Sequence, residues 1–380
     1  MAPVQRVALH LLSAVPLAVP AANAPPPPTI FLDPRHSPPE MFHPPLSNAR
    51  LSHNDHTIPV SAVDMKTTHL DAKNGTSGSP WTQCLDEILE MDPDGIETGL
   101  SEVLRRLLAS QSDAAPAEAA QQIDDLYSND YLPSDPLMRF QDDKGMGGFL
   151  SCLYEMVFDL ARAIPYENDL QGRLVQFLVE LAKLPTKEVK IWGEDCLAYA
   201  RALVYSVIQD DNWNGSYQHT ASAASDPETP ATLQRYSEWV NFSTFVARVI
   251  RAGHDDRYTN WDKYPSFDIA KGLESDSDQG PRRDCLILVA TQYLQIVGEK
   301  LHRKYVEECA VDSERGQKAL GLWRLWSDRL QEIANGQTSS NPEVAKAARE
   351  AWQFMMSLEP STQAESQEVN ASISAAPVEF

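Results

Sequence analysis

The residues most capable of chemistry in this sequence include one Glu-x-x-His motif, formed by Glu299 and His302. A spacing of three places both side chains on one face of a helix, as in carboxylate-bridged di-iron bundles, which use the motif twice. No second copy exists, because neither His219 nor His254 has a glutamate three residues before it. The sequence therefore predicts a surface pair, with Glu299 in an ordinary ion pair and His302 in polar contacts.

Two acidic pairs, Asp210-Asp211 and Asp255-Asp256, fall in predicted loops, where solvated charge is the usual state. General acid–base chemistry would need one carboxyl of a pair to be desolvated and shifted in pKa. Trp213 and Trp261 also fall in predicted loops beside acids, which makes them candidates for a binding role. A pocket between helices is thus one hypothesis, with speculative lining residues at its mouth: Trp213, His254, Asp255, Asp256, Glu299 and His302.

Other chemistries lack their motifs in this sequence. There is no Gly-x-Ser-x-Gly elbow, and the glycine-rich stretch 145–148 lacks the Lys-Ser/Thr of a phosphate loop. The 5 cysteines are widely separated and show no zinc-binding spacing, so we expect buried free thiols. The sequence predicts no catalytic, cofactor-binding or metal-ligating residue and no cofactor, and it favours a protein that is not an enzyme.

The net charge of −22 is spread along the chain, and such a surface repels phosphate backbones and anionic lipids. Nucleic acid is therefore not an expected partner. The apolar run at 7–22 is too short and too interrupted by proline to span a membrane. We predict an intracellular protein, in the cytoplasm or nucleus; the alternative is secretion through a weak signal-like segment at 1–24.

The elements that would position these residues are helices, and the strongest of them lies at 168–185. Asn168 is a suitable N-cap, Gln171 is placed to reach back as in a capping box, and Pro185 would end the helix. Its polar positions form one narrow stripe, and the remaining circumference is apolar. Such a helix is expected to pack between other helices rather than on a surface.

The rest of the region from 80 to 360 follows the same helical pattern. Apolar residues at helical spacing recur from 80 to 360, including a helix expected through Leu197, Ala200 and Val204, and no segment shows strand-like alternation of useful length. The sequence predicts an all-α array or bundle of about ten helices. Residues 1–79 are rich in Pro, Ser and His, and residues 361–380 in Ser, Ala and Glu, so both are predicted to be disordered arms.

Several motifs occur in a characteristic order within 147–358. They are Gly147-Gly148-Phe149-Leu150, Gln171-x-Arg173-Leu174-Val175, Val189-Lys190-Ile191-Trp192-Gly193, Trp239-Val240-Asn241-Phe242, Gly298-Glu299-Lys300-Leu301-His302 and Gly321-Leu322-Trp323-x-x-Trp326. In these motifs the chain resembles a fungal family known as domain of unknown function thirty-six thirty-two. The resemblance implies a helical fold and a fungal source, and it carries no activity or catalytic residue.

Two functions follow as hypotheses. The favoured one is a helical interaction or scaffold protein whose groove or acidic face holds a protein partner, because no chemical motif is present and two arms suited to regulation are predicted. The alternative is an enzyme or small-molecule binder that uses the pocket between helices described above.

Overall fold

Apolar residues at three- and four-residue spacing form helices throughout the computed structural model. The structure describes residues 78–91, 95–131, 145–185, 187–191, 194–199, 205, 209–214, 229–253, 262–275, 278–337, 339 and 341–358. Its α-helices in these ranges are α1 (Pro80–Met91), α2 (Ile96–Ala109), α3 (Ala115–Asp125), α4 (Met146–Ala163), α5 (Leu170–Leu181), α6 (Pro230–Arg251), α7 (Lys263–Leu273), α8 (Gly280–Val311), α9 (Ser313–Ala334) and α10 (Pro342–Leu358). The predicted all-α fold class is confirmed.

Helix α5 lies among other helices, as its apolar circumference predicted. It contacts α2, α3, α4 and α6, and the side chains of Leu174, Phe177 and Leu178 are fully buried. Helix α3 continues into a π-helical turn, Leu126–Tyr131. Helices α2, α3, α4 and α6 therefore surround α5 within one hydrophobic core.

Helix α8, with 32 residues, organises the second half of the molecule. It packs against α6, α7, α9 and α10. Gly272 lets α7 approach α8 closely, because a Cβ atom at this position would lie 2.4 Å from the Leu286 carbonyl oxygen. Asp268 precedes Gly272 by four residues and therefore shares its helical face. The close approach thus holds Asp268 against α8.

A short antiparallel hairpin follows α5 and was missed by the sequence analysis. Strand β1 (Glu188–Ile191) pairs with β2 (Glu194–Leu197), with Glu188 opposite Leu197. The predicted helix through Leu197 is therefore wrong at that residue. Strands of four residues are too short to show a usable period, and the local sequence cannot distinguish them from a short apolar helical run.

All described residues belong to one compact unit. The predicted arms at 1–79 and 361–380 lie outside the described residues, except for the two positions that precede α1, and they stay predictions. Within the described ranges, no helix combines the length and apolarity needed to cross a membrane.

Candidate functional site

Helix α6 carries two buried polar centres, and Asn241 belongs to the first. We name this the Gln171 centre; it consists of Gln171, Asn241, Arg248 and the turn from α4 to α5 around Tyr166. Pro165 ends the helical run of α4, which leaves carbonyl groups at the end of that helix without helical partners. Side chains from α5 and α6 supply those partners.

The Gln171 side chain is fully buried, and its hydrogen-bonding groups are saturated. Its amide Nε2 donates to the carbonyl oxygens of Ala161 (3.1 Å), Ile164 (2.9 Å) and Asn241 (3.0 Å). Its Oε1 accepts a 2.8 Å hydrogen bond from Arg248 Nη1. The expectation that Gln171 closes a capping box is therefore wrong, because burial between α4 and α6 offers it better-satisfied partners.

Asn241 completes this centre. Its Nδ2 donates to the Arg162 carbonyl oxygen at 2.7 Å, and its Oδ1 accepts from the Tyr166 backbone N–H at 2.9 Å. Arg248 Nη2 donates to the Tyr166 carbonyl oxygen at 2.8 Å. Burial lowers the pKa of Arg248, while Asp169 and Glu167 oppose that shift. Every polar group of the centre has a protein partner, so its role is to join α4, α5 and α6.

The second centre surrounds Asp268 on α7, and we name it the Asp268 centre. The Asp268 side chain is 2% exposed. Its Oδ2 accepts a 3.1 Å hydrogen bond from Trp213 Nε1, and Trp213 lies in the helical stretch 209–214. A carboxylate has about four lone-pair positions for hydrogen bonds. With the indole as its donor of ordinary geometry and the Tyr293 hydroxyl nearby, this buried acid keeps unused lone-pair positions among the described residues.

Two buried hydroxyls belong to this centre: Tyr293 on α8, which neighbours Asp268, and Ser243 on α6, which neighbours Tyr293. The Tyr293 hydroxyl lies close enough to stabilise the Asp268 charge and also neighbours Ser243. Neither hydroxyl, however, makes a hydrogen bond of ordinary geometry with the described residues. Burial raises the pKa of Asp268 to about 7, against the opposing effect of Trp213 and Tyr293. The acid is thus partly ionised near neutrality.

Aromatic rings separate the Asp268 centre from the surface. The Trp213 ring packs against Tyr264 (5.2 Å between centroids), Phe267 (5.2 Å) and Trp239 (6.1 Å). Phe267 is 37% exposed, so this cluster of rings reaches the surface at Phe267. The Tyr264 hydroxyl donates to Asp210 on the outer side. The centre is therefore interior but close to an exposed edge.

The speculative pocket residues are distributed over different parts of the fold. Trp213, expected in a loop, is helical and buried, and it is the member of that set found at the Asp268 centre. Glu299 is exposed and pairs with Arg303 at 2.7 Å. His302 is half-buried, and its ring lies 5.0 Å from that of Trp323. Residues His254, Asp255, Asp256 and Trp261 lie outside the described residues.

Sequence analysis missed Asp268, Ser243 and Tyr293. One signal was present: Asp268 stands among Tyr264, Pro265, Ile269, Gly272 and Leu273 on the buried face of α7. A charged residue on an apolar face needs a compensating partner. Across the described part of the chain, no group of three or more His, Cys, Asp or Glu residues is placed to hold a metal ion.

Comparison with known proteins bears on both centres. The family model described as "Protein of unknown function (DUF3632)" matches residues 154–330, a range that contains Gln171, Asn241, Trp213, Ser243, Asp268 and Tyr293. Neither the curated proteins nor the solved structures contain a match to this chain. The predicted resemblance to this family is confirmed as a match of its model to residues 154–330, and the fungal source stays a prediction.

Proposed function

We propose that this protein binds a small organic cation of the ammonium class at the Asp268 centre. The observation that supports this function is a carboxyl group that is only 2% exposed and lies beside the Tyr293 hydroxyl, which in turn neighbours Ser243. Neither hydroxyl makes a hydrogen bond of ordinary geometry with the described residues. Buried polar groups are normally hydrogen-bonded, and exceptions call for a bound group or a functional role. An ammonium ion supplies both a countercharge and hydrogen-bond donors.

The charge of Asp268 favours a cation over a neutral ligand. Burying an ionised carboxylate without a countercharge is strongly unfavourable, and the raised pKa of Asp268 is the consequence. A bound ammonium ion would hold the acid in its ionised form. The net charge of −22 adds a long-range field that attracts cations toward the protein.

The remaining groups would orient the cation. The hydroxyl oxygens of Ser243 and Tyr293 are acceptors for N–H groups. The aromatic rings around Trp213 supply faces that attract positive charge, by about 0.5–2 kcal/mol for each well-placed ring. Because these rings already pack closely on one another, we expect a ligand of only a few heavy atoms.

The test is calorimetric titration of the full chain with methylammonium, with acetamide as the neutral control. We expect binding of methylammonium only, about tenfold tighter at pH 8 than at pH 6, because the ionised fraction of an acid with a pKa of about 7 changes by roughly that factor. Binding that is equal at the two pH values, or absent for ammonium ions, would contradict the proposal.

A matched pair of variants locates the binding. Asp268→Asn removes the charge while keeping the shape, and we expect it to abolish methylammonium binding. Asp328→Asn makes the same change on the exposed face of α9, and it should leave the affinity unchanged. Circular dichroism of both variants checks that they are folded; retained binding in Asp268→Asn would refute this location.

A second function, interaction with a protein partner, is favoured by a separate observation. Four large apolar side chains on the last three helices are 40–48% exposed: Val306, Leu322, Leu325 and Met356. Exposed apolar residues that lie together often mark interaction sites. Affinity purification should then recover a stoichiometric partner, and repeated recovery of this protein alone would count against a scaffold role.

A further inference from the structure

The outward face of α9 carries an ordered seam of exposed residues. Lys318, Gly321, Leu325 and Asp328 are all exposed and follow one another at spacings of three, four and three. This is the spacing of the contact positions of a helix that pairs with another helix. The opposite face of α9 is already used, because Trp323, Trp326 and Leu330 are buried in the core.

The seam contains a projection and a hollow one turn apart. Leu325 is 40% exposed. Gly321 leaves open space, because a Cβ atom at this position would meet nothing within 4 Å. Small residues on a helix face let a second backbone approach closely, and a large side chain of the partner fills the space above them.

We propose that α9 docks antiparallel on α9 of a second copy of this chain. The two-fold axis would cross the outward face of α9 midway between Gly321 and Leu325, at the level of residue 323. In that arrangement Leu325 of each copy lies over Gly321 of the other. The same axis places Lys318 opposite Asp328 of the other copy, so opposite charges meet on both sides of the apolar centre. A two-fold interface requires one patch to be complementary to itself. On this face Leu325 complements Gly321, and Lys318 complements Asp328.

The acidic residues near the two ends of α9 limit the angle at which the two α9 helices can cross. Glu314 and Glu332 would face each other across the axis, but each is held by a cation of its own helix, Lys318 at 2.9 Å and Arg329 at 2.9 Å. A crossing angle near −50°, the commonest in globular proteins, moves the helix ends apart and keeps the contact to about three central turns, from Lys318 to Asp328. The like charges then stay separated.

This interface is expected to be weak. A single helix face buries less than the roughly 1,200 Å² of a standard stable interface. The net charge of −22 on each copy also opposes association. The expected species is therefore a concentration-dependent dimer in rapid exchange with monomer, and not an obligate assembly.

Sedimentation velocity of the full chain, from micromolar to on the order of 1 mM at about 0.15 M salt, measures this equilibrium. We expect the wild-type weight-average sedimentation coefficient to rise toward that of a dimer. Leu325→Glu should weaken association by tenfold or more, on the order of the effect of burying an unpaired charge. The matched control is Met356→Glu, which also places a charge at an exposed apolar position, 48% exposed on α10, and should leave association unchanged.

A charge exchange tests the antiparallel register. Lys318→Glu should weaken the dimer several-fold, since it faces Asp328 with a like charge, and adding Asp328→Lys should restore the wild-type equilibrium. A wild-type chain that stays monomeric throughout the range would overturn the proposal. Equal weakening by Leu325→Glu and Met356→Glu, or failure of the double exchange to restore association, would also overturn it. Asp268→Asn should leave dimerisation unchanged, so this result is separable from ligand binding.

Discussion

The two polar centres on α6 are similarly buried but differ in how completely their groups are satisfied. At the Gln171 centre, one side-chain amide uses both its donor group and its acceptor, with contacts of 2.8–3.1 Å. At the Asp268 centre, one carboxylate oxygen has a 3.1 Å indole donor, while the hydroxyls of Ser243 and Tyr293 have no partner of ordinary geometry among the described residues.

This difference indicates that the Gln171 centre stabilises the fold, whereas the Asp268 centre has unused capacity for binding. A saturated network stabilises the arrangement of the helices that contribute to it and has no capacity left for a ligand. An unsaturated one is unfavourable for folding unless something else completes it. Residues 154–330, the range of the family match, contain both. The family match therefore does not by itself distinguish residues that stabilise the fold from residues that could bind a ligand.

The largest expected effect comes from breaking the saturated centre with Gln171→Leu. The variant fills the space but removes the partner of Arg248 Nη1 and of the carbonyls of Ala161 and Ile164. We expect the free energy of unfolding to fall by about 3–5 kcal/mol, because several buried polar groups each lose a hydrogen bond at a cost of about 1–3 kcal/mol. Urea denaturation followed by circular dichroism measures it.

Gln176→Leu is the matched control on the same helix. Gln176 is exposed, and its amide donates to Glu180 at 2.6 Å. The same substitution there should change the free energy of unfolding by less than about 0.5 kcal/mol, as is usual for surface positions. If the two variants were equally stable, the Gln171 centre would not be the structural junction that its contacts indicate.

The sequence predicted the helices well because apolar spacing and capping residues are signals contained within each helix. The burial of Phe177 and Leu178 on α5, and the cap made by Asn341, whose Oδ1 accepts from Glu343 N–H at 3.0 Å, follow from spacing and residue type alone. The hairpin at 188–197 was missed because its two strands are too short to have a period.

The polar centres were not predictable in the same way because their members are distant in sequence. Asp268 and Trp213 are separated by 55 positions, and Gln171 and Arg248 by 77. Local reasoning assigned Gln171 to a cap and Trp213 to a loop. Which buried polar group meets which partner is decided by the packing of helices, and a single sequence contains no direct record of that packing.

Asp268→Asn tests the unsaturated centre through the pH dependence of stability. The pKa of Asp268 is raised from 3.8 to about 7 in the folded protein, so folding favours the protonated acid. The contribution of this group to stability is present below pH 4 and is lost as the pH rises to 7. Between pH 4 and pH 8 the wild type should lose up to about 4 kcal/mol relative to the variant. Urea denaturation at pH 4, 6 and 8 gives the difference.

Other groups titrate in this range, and the difference between the two proteins removes their contribution. The pKa values of Glu155, Asp159 and Asp211 are also raised, mainly by burial, but they are present in both proteins. Around Asp268, the Cys285 thiol and the Tyr293 hydroxyl have pKa values raised far above this window. If the difference in unfolding free energy between the wild type and Asp268→Asn stays constant from pH 4 to pH 8, the pKa of Asp268 is not raised by folding.

The smallest effects compare two neighbours on α6, Asn241 and Ser243. Asn241→Ala leaves the Tyr166 N–H and the Arg162 carbonyl unpaired and should cost about 2–3 kcal/mol. Ser243→Ala removes a hydroxyl that makes no hydrogen bond of ordinary geometry with the described residues, so without ligand its effect should lie within about 0.5 kcal/mol. If Ser243 orients a bound cation, saturating methylammonium should stabilise the wild type more than Ser243→Ala, by thermal denaturation. Equal stabilisation of the wild type and Ser243→Ala by methylammonium would show that Ser243 does not contact the ligand. Equal losses of unfolding free energy in Asn241→Ala and Ser243→Ala would contradict the difference between the two centres.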